Sequence, residues 1–164
     1  MSDIIVFDWG DTLMRDLDGM KGPMKDWPHV EAVEGAQETL ARLVHHVDIF
    51  VASGAQESAP EDIESALGRV GLSAYILGYF CPKNLGFDKP SSEFYTALAD
   101  KLPMAPENIT FVGDSLENDI IPALAIGMRT IWLSADESNN ENVDVPKGAI
   151  KIRSLSALCD IILP

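Results

Sequence analysis

Basic residues are scarce in this sequence of 164 residues. Lysine and arginine together number 12, against 26 aspartates and glutamates, so the formal net charge is −14. A field of that sign repels the phosphates of nucleic acids and anionic membrane surfaces, and we expect neither as a partner. It also repels a phosphorylated substrate, so any anion site must depend on local cations or on a metal ion.

Cysteines are few, and long apolar runs are absent. Cys81 and Cys159 lack the spacing of metal ligands, and we expect both to be reduced, as in cytoplasmic proteins. The sequence has no apolar signal core at its start and no apolar run long enough to span a bilayer. Hydrophobic residues still make up 46% of the chain, an ordinary fraction for a globular protein. We therefore expect residues 1–164 to form a single cytoplasmic domain.

Apolar runs of strand length alternate with segments of helical periodicity. Strands are predicted at 4–7, 47–52, 74–80, 109–112, 130–133 and 150–152, and helices at 35–46, 60–70, 91–102, 118–126 and 154–163. This alternation is typical of a mainly parallel sheet covered by helices on both faces, a Rossmann-like three-layer α/β/α sandwich. Residues 14–34, rich in glycine, proline and charge, are predicted to form a long flap, and 135–147 a polar loop.

Polar side chains follow three of the predicted strands at the point where each strand ends. Asp8 follows the first strand, Ser53 the second and Asp114 the fourth, while Asp119 comes five residues later. Because the carboxyl ends of parallel strands share one rim of the sheet, we expect these side chains to meet there. Clustered carboxylates repel one another unless a proton or a hard cation neutralises them, and Mg²⁺ near phosphate is the usual solution.

Lys89 is the candidate cation from the chain itself. It stands in the segment Asp88-Lys89-Pro90, directly before a predicted helix, where its ammonium group would add positive charge to the same rim. The alternative interpretation is a solvated loop lysine, which is the usual environment of a lone lysine.

These segments resemble, in order, the four motifs of the haloacid dehalogenase-like (HAD) hydrolase superfamily. The resemblance covers nearly the whole chain and rests on Asp8-Trp9-Gly10-Asp11-Thr12-Leu13, Phe50-Val51-Ala52-Ser53-Gly54, Lys89-Pro90 and Gly113-Asp114-Ser115-Leu116-Glu117-Asn118-Asp119. The first and fourth motifs are specific, whereas the second and third would be weak alone. The resemblance implies a hydrolase that acts on a phosphorylated substrate.

The resemblance also implies roles for the matching residues. Asp8 would be the nucleophile that attacks phosphorus and forms an aspartyl-phosphate. Ser53 and Lys89 would act with it in catalysis, and these two residues and Gly54 would bind the phosphoryl group.

A metal site is implied by the same motifs. Mg²⁺ would be held by Asp8, the backbone carbonyl of Gly10 and Asp114, with Asp119 as a further ligand or support. The two charges of Mg²⁺ and the one charge of Lys89 would then balance the three carboxylates.

The first motif departs from the superfamily's phosphatases at one position. Those enzymes carry a second aspartate two residues after the nucleophile, which protonates the leaving group and then deprotonates the attacking water. Here that position is Gly10, and Asp11 lies one residue too far along to replace it. Loss of a general acid/base costs about 10²–10⁴-fold in rate, so we expect acyl and aryl phosphates to react faster than alkyl phosphates. His29 in the predicted flap is another source of the proton, although a lone loop histidine is usually just exposed.

Two other functions are compatible with this sequence. One is a degenerate member of the superfamily that binds metal, phosphate or a protein partner with little or no catalysis. The glycine at position 10, in place of the second aspartate, is the reason to consider it. The other is a non-phosphate reaction such as dehalogenation, which needs no metal cluster and so leaves Asp114 and Asp119 unexplained.

No segment of the sequence is long enough for a large cap domain. Residues 14–34 can form only a flap, and 54–88 are mostly used by one helix and one strand. A capless site suits a large substrate or closure by a partner subunit, so a homo-oligomer is a further expectation. Met20, Met24 and Trp27 in the flap would cover a substrate or make an oligomer contact, or simply pack locally, which is the more common outcome.

Overall fold

The computed structural model describes residues 3–134 and 144–164. Its strands are β1 (Ile4–Phe7), β2 (Asp48–Ala52), β3 (Gly78–Phe80), β4 (Ile109–Gly113), β5 (Arg129–Leu133) and β6 (Ala149–Ile152). They form one sheet in the order β3-β2-β1-β4-β5-β6, and each neighbouring pair is parallel. The chain order reverses at β1, which places a crevice outside the carboxyl ends of β1, β2 and β4.

Helices cover both faces of this sheet. The α-helices are α1 (Ala36–Leu43), α2 (Pro60–Arg69), α3 (Pro82–Leu85), α4 (Ser92–Lys101), α5 (Ile121–Ala125) and α6 (Ala157–Ile162). Helices α1, α2 and α6 contribute to the core on one face, and α3, α4 and α5 to the core on the other. The predicted three-layer α/β/α sandwich is confirmed, and the sheet is parallel throughout its described strands.

The central strand β1 shows why a strand that is buried on both faces consists of an unbroken run of apolar residues. Its four residues are all buried, and their side chains alternate between the two cores. Ile5 and Phe7 belong to the core beneath α1, α2 and α6, while Ile4 and Val6 belong to the other. A parallel strand that is covered on both faces needs apolar residues at every position rather than at alternate ones.

Two predicted elements differ in detail. The strand predicted at 74–80 begins only at Gly78, because Ser73–Tyr75 forms a 3₁₀ turn. The helix predicted at 118–126 starts earlier, as a π-helical turn over Leu116–Ile120 that leads into α5. Two further 3₁₀ turns lie at Met24–Asp26 and Pro106–Asn108. The polar loop predicted at 135–147 lies mostly outside the described residues.

Residues 14–34 form the predicted flap, an irregular segment with one 3₁₀ turn. Met14 joins it to the sheet end through isolated bridges to Gly10 and Ala32. Within the described residues, neither this segment nor the one between β2 and α4 holds anything as large as a cap domain. Among the residues that the structure describes, no helix has both the length and the apolar character to cross a membrane.

Candidate active site

The carboxyl ends of β1, β2 and β4 open into a cavity of about 500 Å³. Every site residue predicted from the sequence lines this cavity, namely Asp8, Gly10, Ser53, Gly54, Lys89, Asp114 and Asp119. They meet because β1 pairs with β2 on one side and with β4 on the other, which aligns the three strand ends.

Hydrogen bonds hold both the backbone and the carboxylate of Asp8. Its backbone N–H donates to the carbonyl of Val112 at 2.8 Å, so the residue continues the pairing of β1 with β4. One carboxylate oxygen accepts a hydrogen bond from Lys89 Nζ at 2.8 Å, and the other accepts from Thr12 Oγ1 at 3.2 Å. The carboxylate is therefore oriented within the cavity before any ligand binds.

Lys89 is buried between two carboxylates and two aromatic rings. Its Nζ lies 2.8 Å from Asp8 Oδ1 and 2.7 Å from Asp119 Oδ1. The same atom is 5.2 Å from the ring centroid of Phe111 and 5.7 Å from that of Phe94. Burial lowers the pKa of Lys89, but the two carboxylates outweigh it and hold that pKa above its ordinary value. The lysine is thus a buried cation, and the alternative of a solvated loop residue is wrong.

Asp119 reaches the cavity through the π-helical turn. Ser115 starts that turn, since its Oγ accepts a hydrogen bond from the N–H of Asn118 at 3.1 Å. The N–H of Ser115 in turn donates to Asp119 Oδ2 at 3.1 Å. A Cβ atom on Gly113 would stand only 2.5 Å from Asp119 Cβ, so this approach requires glycine at the end of β4.

Asp114 is held by residues outside its own motif. Its backbone carbonyl accepts a hydrogen bond from Trp132 Nε1 on β5 at 3.0 Å. Its Oδ1 lies 3.3 Å from Thr12 Oγ1, the same hydroxyl that contacts Asp8. Thr12 is fully buried and joins the first and fourth motifs.

With all three carboxylates ionised, the cluster and the one lysine carry a local charge of −2. Oxygen atoms of Asp8, Asp114 and Asp119 lie within 4.8 Å of one another. Burial, together with the neighbouring charge of Asp8, raises the pKa of Asp114 to about 8 and that of Asp119 to about 6. A set of hard oxygen donors with two excess negative charges fits Mg²⁺ in both chemistry and charge.

The raised pKa values predict a pH-dependent stability. Between the unfolded value of 3.8 and about 8, the folded protein binds more protons than the unfolded chain does. In EDTA we therefore expect the stability contributed by the protonated carboxyls to be lost as the pH rises through about 6 and then about 8. At about pH 8, added Mg²⁺ should raise the midpoint of thermal unfolding, because a ligand of the folded state stabilises it.

Thermal unfolding followed by circular dichroism, with EDTA or Mg²⁺ across this pH range, measures both effects. Asp114→Asn is the matched variant and should flatten the dependence on pH. A midpoint that is independent of pH and indifferent to Mg²⁺ would contradict the electrostatic description of the cluster.

The flap forms another wall of the cavity. Met24 and Trp27 line the cavity and are also buried in the core beneath α1, α2 and α6. Trp27 Nε1 donates to the carbonyl of Gly22 at 3.0 Å, and the Trp27 carbonyl accepts from Arg69 of α2 at 2.6 Å. Met24 and Trp27 therefore pack locally, which is the more common outcome named in the sequence analysis. They also face the cavity.

The two residues considered in place of the missing aspartate differ in their position relative to the cavity. His29 is exposed on the flap, with Nε2 3.4 Å from Glu31 Oε2, and does not line the cavity. Asp11 does line it, but its Oδ1 accepts a hydrogen bond from the backbone N–H of Asp16 at 2.9 Å.

Sequence reasoning gave no role to Thr12, Asp16 or Trp132. Thr12 stands in the first motif, where a hydroxyl four residues after Asp8 was a usable signal. Asp16 lines the cavity from an irregular loop, and Trp132 reaches Asp114 from the neighbouring strand β5. No local pattern marks these last two residues, because tertiary packing alone brings them to the site.

Comparison with known protein families identifies relatives. The HAD-hydrolase-like family model matches residues 86–158. A Bacillus subtilis (strain 168) protein named HAD-hydrolase YfnB is 25% identical over 134 residues, which are 80% of this chain and 54% of that protein. A Halopiger xanaduensis protein named ribulose-1,5-bisphosphate 5-phosphatase is 28% identical over 138 residues, which are 79% of this chain and 56% of that protein. The chain thus spans just over half the length of these curated relatives.

Solved structures share the fold. The crystal structure of YfnB bound to magnesium superposes with a TM-score of 0.78 at 16% identity, over 99% of the length of both chains. A 2-haloacid dehalogenase from Pseudomonas syringae pv. Tomato superposes with a TM-score of 0.75 at 18% identity, over 99% of this chain and 98% of the other. At such identities the superpositions show the fold alone, so the reaction has to be argued from the site.

Proposed function

Because the chain belongs to the haloacid dehalogenase-like hydrolase superfamily, we propose that it hydrolyses a phosphorylated substrate through a phosphorylated Asp8. The observation that carries this proposal is the cluster of Asp8, Asp114 and Asp119, with oxygens within 4.8 Å of one another. A dehalogenase needs one carboxylate nucleophile, but two further carboxylates beside it would only repel an anionic substrate. The cluster makes chemical sense when a divalent cation and a phosphoryl group occupy the cavity.

Asp8 is the proposed nucleophile because its environment orients it. Hydrogen bonds from Lys89 and Thr12 hold its two oxygens, so the carboxylate is aimed without further ordering on binding. Lys89 also keeps a fixed positive charge beside the attacking oxygen. In the complex, that charge would stabilise the phosphoryl oxygens as negative charge builds up on them.

Ser53 and Gly54 are the proposed phosphoryl-binding residues. Ser53 Oγ accepts a hydrogen bond from the N–H of Ala55 at 3.0 Å, which leaves the hydroxyl proton available to donate to a phosphoryl oxygen. A Cβ atom on Gly54 would lie 3.5 Å from side-chain carbons of Lys89. The backbone of Gly54 thus lies directly beside the Lys89 side chain, at the edge of the cavity.

The proposed metal ligands are Asp8, the Gly10 carbonyl, Asp114 and Asp119. When bound, Mg²⁺ supplies the positive charge that allows a phosphate to enter a cavity lined by carboxylates. Among the compared proteins, the solved structure of YfnB contains magnesium, and the Halopiger protein is named as a phosphatase. Both facts support this assignment.

The test is a substrate panel with purified protein. We expect inorganic phosphate to be released from acyl, aryl or sugar phosphates in the presence of Mg²⁺, and the release to stop in EDTA. Chloride release from 2-chloro acids serves as the comparison reaction and should be absent. Chloride release without phosphate release would overturn the proposal in favour of dehalogenation, and no turnover of any phosphate would favour a degenerate, binding-only protein.

A further inference from the structure

Asp16 lies beside the space that a side chain at position 10 would enter. A Cβ atom on Gly10 would stand 3.8 Å from Asp16 Cβ, and no other atom of the described residues, apart from its chain neighbours, would come within 4 Å of it. Asp16 belongs to the flap and lines the same cavity as Asp8 and Lys89. The side chain of Asp16 thus starts next to the position where the superfamily's phosphatases carry their second aspartate, and it lines the same cavity, although it comes from six residues further along the chain.

The backbone that leads up to Asp16 is anchored. Its own N–H donates to Asp11 Oδ1 at 2.9 Å, and the N–H of Arg15 donates to the carbonyl of Glu31 at 2.9 Å. Met14 is fully buried and forms the bridges that join the flap to the sheet end. These contacts fix where the side chain of Asp16 leaves the flap.

The charge environment of Asp16 suits proton transfer. Asp16 is exposed, but partial desolvation raises its pKa, and the neighbouring carboxylates of Asp11, Asp18 and Asp8 raise it further. A carboxyl with a raised pKa holds a proton closer to neutral pH, as a general acid must.

Two other carboxyl groups of the cavity already accept hydrogen bonds. Asp88 accepts hydrogen bonds from the backbone N–H of Lys89 and from the side chain of Gln56. Asp11 accepts the N–H of Asp16 itself. Glu57 lines the cavity from the loop after β2, and not from the flap beside Gly10.

We propose that Asp16 is the general acid/base of the reaction, in place of the side chain missing at Gly10. The inference rests on the proposed function. In the first step, Asp8 attacks phosphorus and the bond from phosphorus to the leaving oxygen breaks. The leaving oxygen keeps the electron pair of that bond and takes the proton of the Asp16 carboxyl, so the alcohol leaves.

In the second step, the Asp16 carboxylate takes a proton from water as the water oxygen attacks phosphorus. The bond from phosphorus to the Asp8 oxygen breaks, and its electron pair returns to the Asp8 carboxylate. Inorganic phosphate leaves and Asp16 is protonated again. Alkyl phosphates, which the sequence alone predicts to be slow, are then competent substrates.

The test compares wild type, Asp16→Asn and Asp26→Asn on glycerol phosphate and p-nitrophenyl phosphate with Mg²⁺. Asp26 is an exposed flap residue outside the cavity, so its variant controls for the lost charge. For Asp16→Asn we expect kcat/KM on glycerol phosphate to fall by about 10²–10⁴-fold. On the aryl ester, whose leaving group needs no proton, we expect a rapid burst of one p-nitrophenol per active site, followed by slow turnover.

A double variant tests whether a carboxyl group at position 10 restores the activity lost in Asp16→Asn. Gly10→Asp combined with Asp16→Asn places a carboxyl at the superfamily's usual position, where the backbone is outside the left-handed region and the space is open. It should recover hydrolysis of glycerol phosphate. Wild-type rates in Asp16→Asn, or an equal loss on both esters without a burst, would overturn the role of Asp16 and leave the proposed function standing. A wild-type protein inactive on both esters would overturn the two together.

Discussion

Asp8→Asn is expected to abolish phosphate release, by at least about 10⁴-fold, while the protein stays folded. The substitution removes the attacking oxyanion but keeps the size and shape of the side chain. The amide oxygen can still accept the hydrogen bond from Lys89, and Thr12 Oγ1 can accept one from the new amide group. Phosphate release with Mg²⁺ measures activity, and circular dichroism measures the fold.

Asp100→Asn is the control for the changed charge, because Asp100 is exposed on α4, away from the cavity. We expect this variant to keep wild-type activity. If Asp8→Asn kept comparable activity, the nucleophile would be another residue or the chemistry another reaction.

Lys89→Met is expected to affect both turnover and stability. Removing the cation that we propose to face the phosphoryl group should lower the turnover number by about 10²–10³-fold. Methionine still fills the space beside Phe94 and Phe111, but it removes the cation over their rings and leaves the buried carboxylates of Asp8 and Asp119 without their partner. Breaking a buried ion pair from one side costs about 3–5 kcal/mol in the free energy of unfolding.

The pH dependence distinguishes this electrostatic cost from a packing defect. Lys89 lowers the pKa of Asp119, so removing the lysine favours the protonated carboxyl. In EDTA the loss of stability should therefore be smaller at about pH 5, where Asp119 binds a proton, than at about pH 8. Urea denaturation at the two pH values, with the exposed Lys83→Met as the control, measures the difference. An equal loss of stability at both pH values would contradict the role of Lys89 as a counter-ion.

The meeting of the functional residues at the strand ends could be predicted from the sequence. Four apolar residues followed by Asp8 predict a buried parallel strand, and the structure places that strand at the centre of the sheet. Asp8, Ser53 and Asp114 meet because parallel strands share a rim, which is a property of the fold class and not of these residues. Lys89 was a candidate cation from its place before a predicted helix, but its burial was not predictable, since a lone loop lysine carries no signal of burial.

Other features of the site depend on packing that no local pattern encodes. The π-helical turn at Leu116–Ile120 changes the hydrogen-bond register of a helix whose apolar spacing still looks ordinary. Asp16 comes from a segment without periodicity, and its place beside Gly10 follows from the bridges of Met14. Single-domain organisation, cytoplasmic location, homo-oligomer formation and the absence of a nucleic-acid partner stay predictions.

A phosphorylated Asp8 is the species that tests the central claim most directly. The wild-type protein would be mixed with p-nitrophenyl phosphate and Mg²⁺, quenched in acid within the first turnover, digested, and analysed by mass spectrometry. We predict one added phosphoryl group on the peptide that contains Asp8, and none in the Asp8→Asn variant. Phosphate release with no phosphorylated peptide, or with the phosphoryl group on a different residue, would contradict the account.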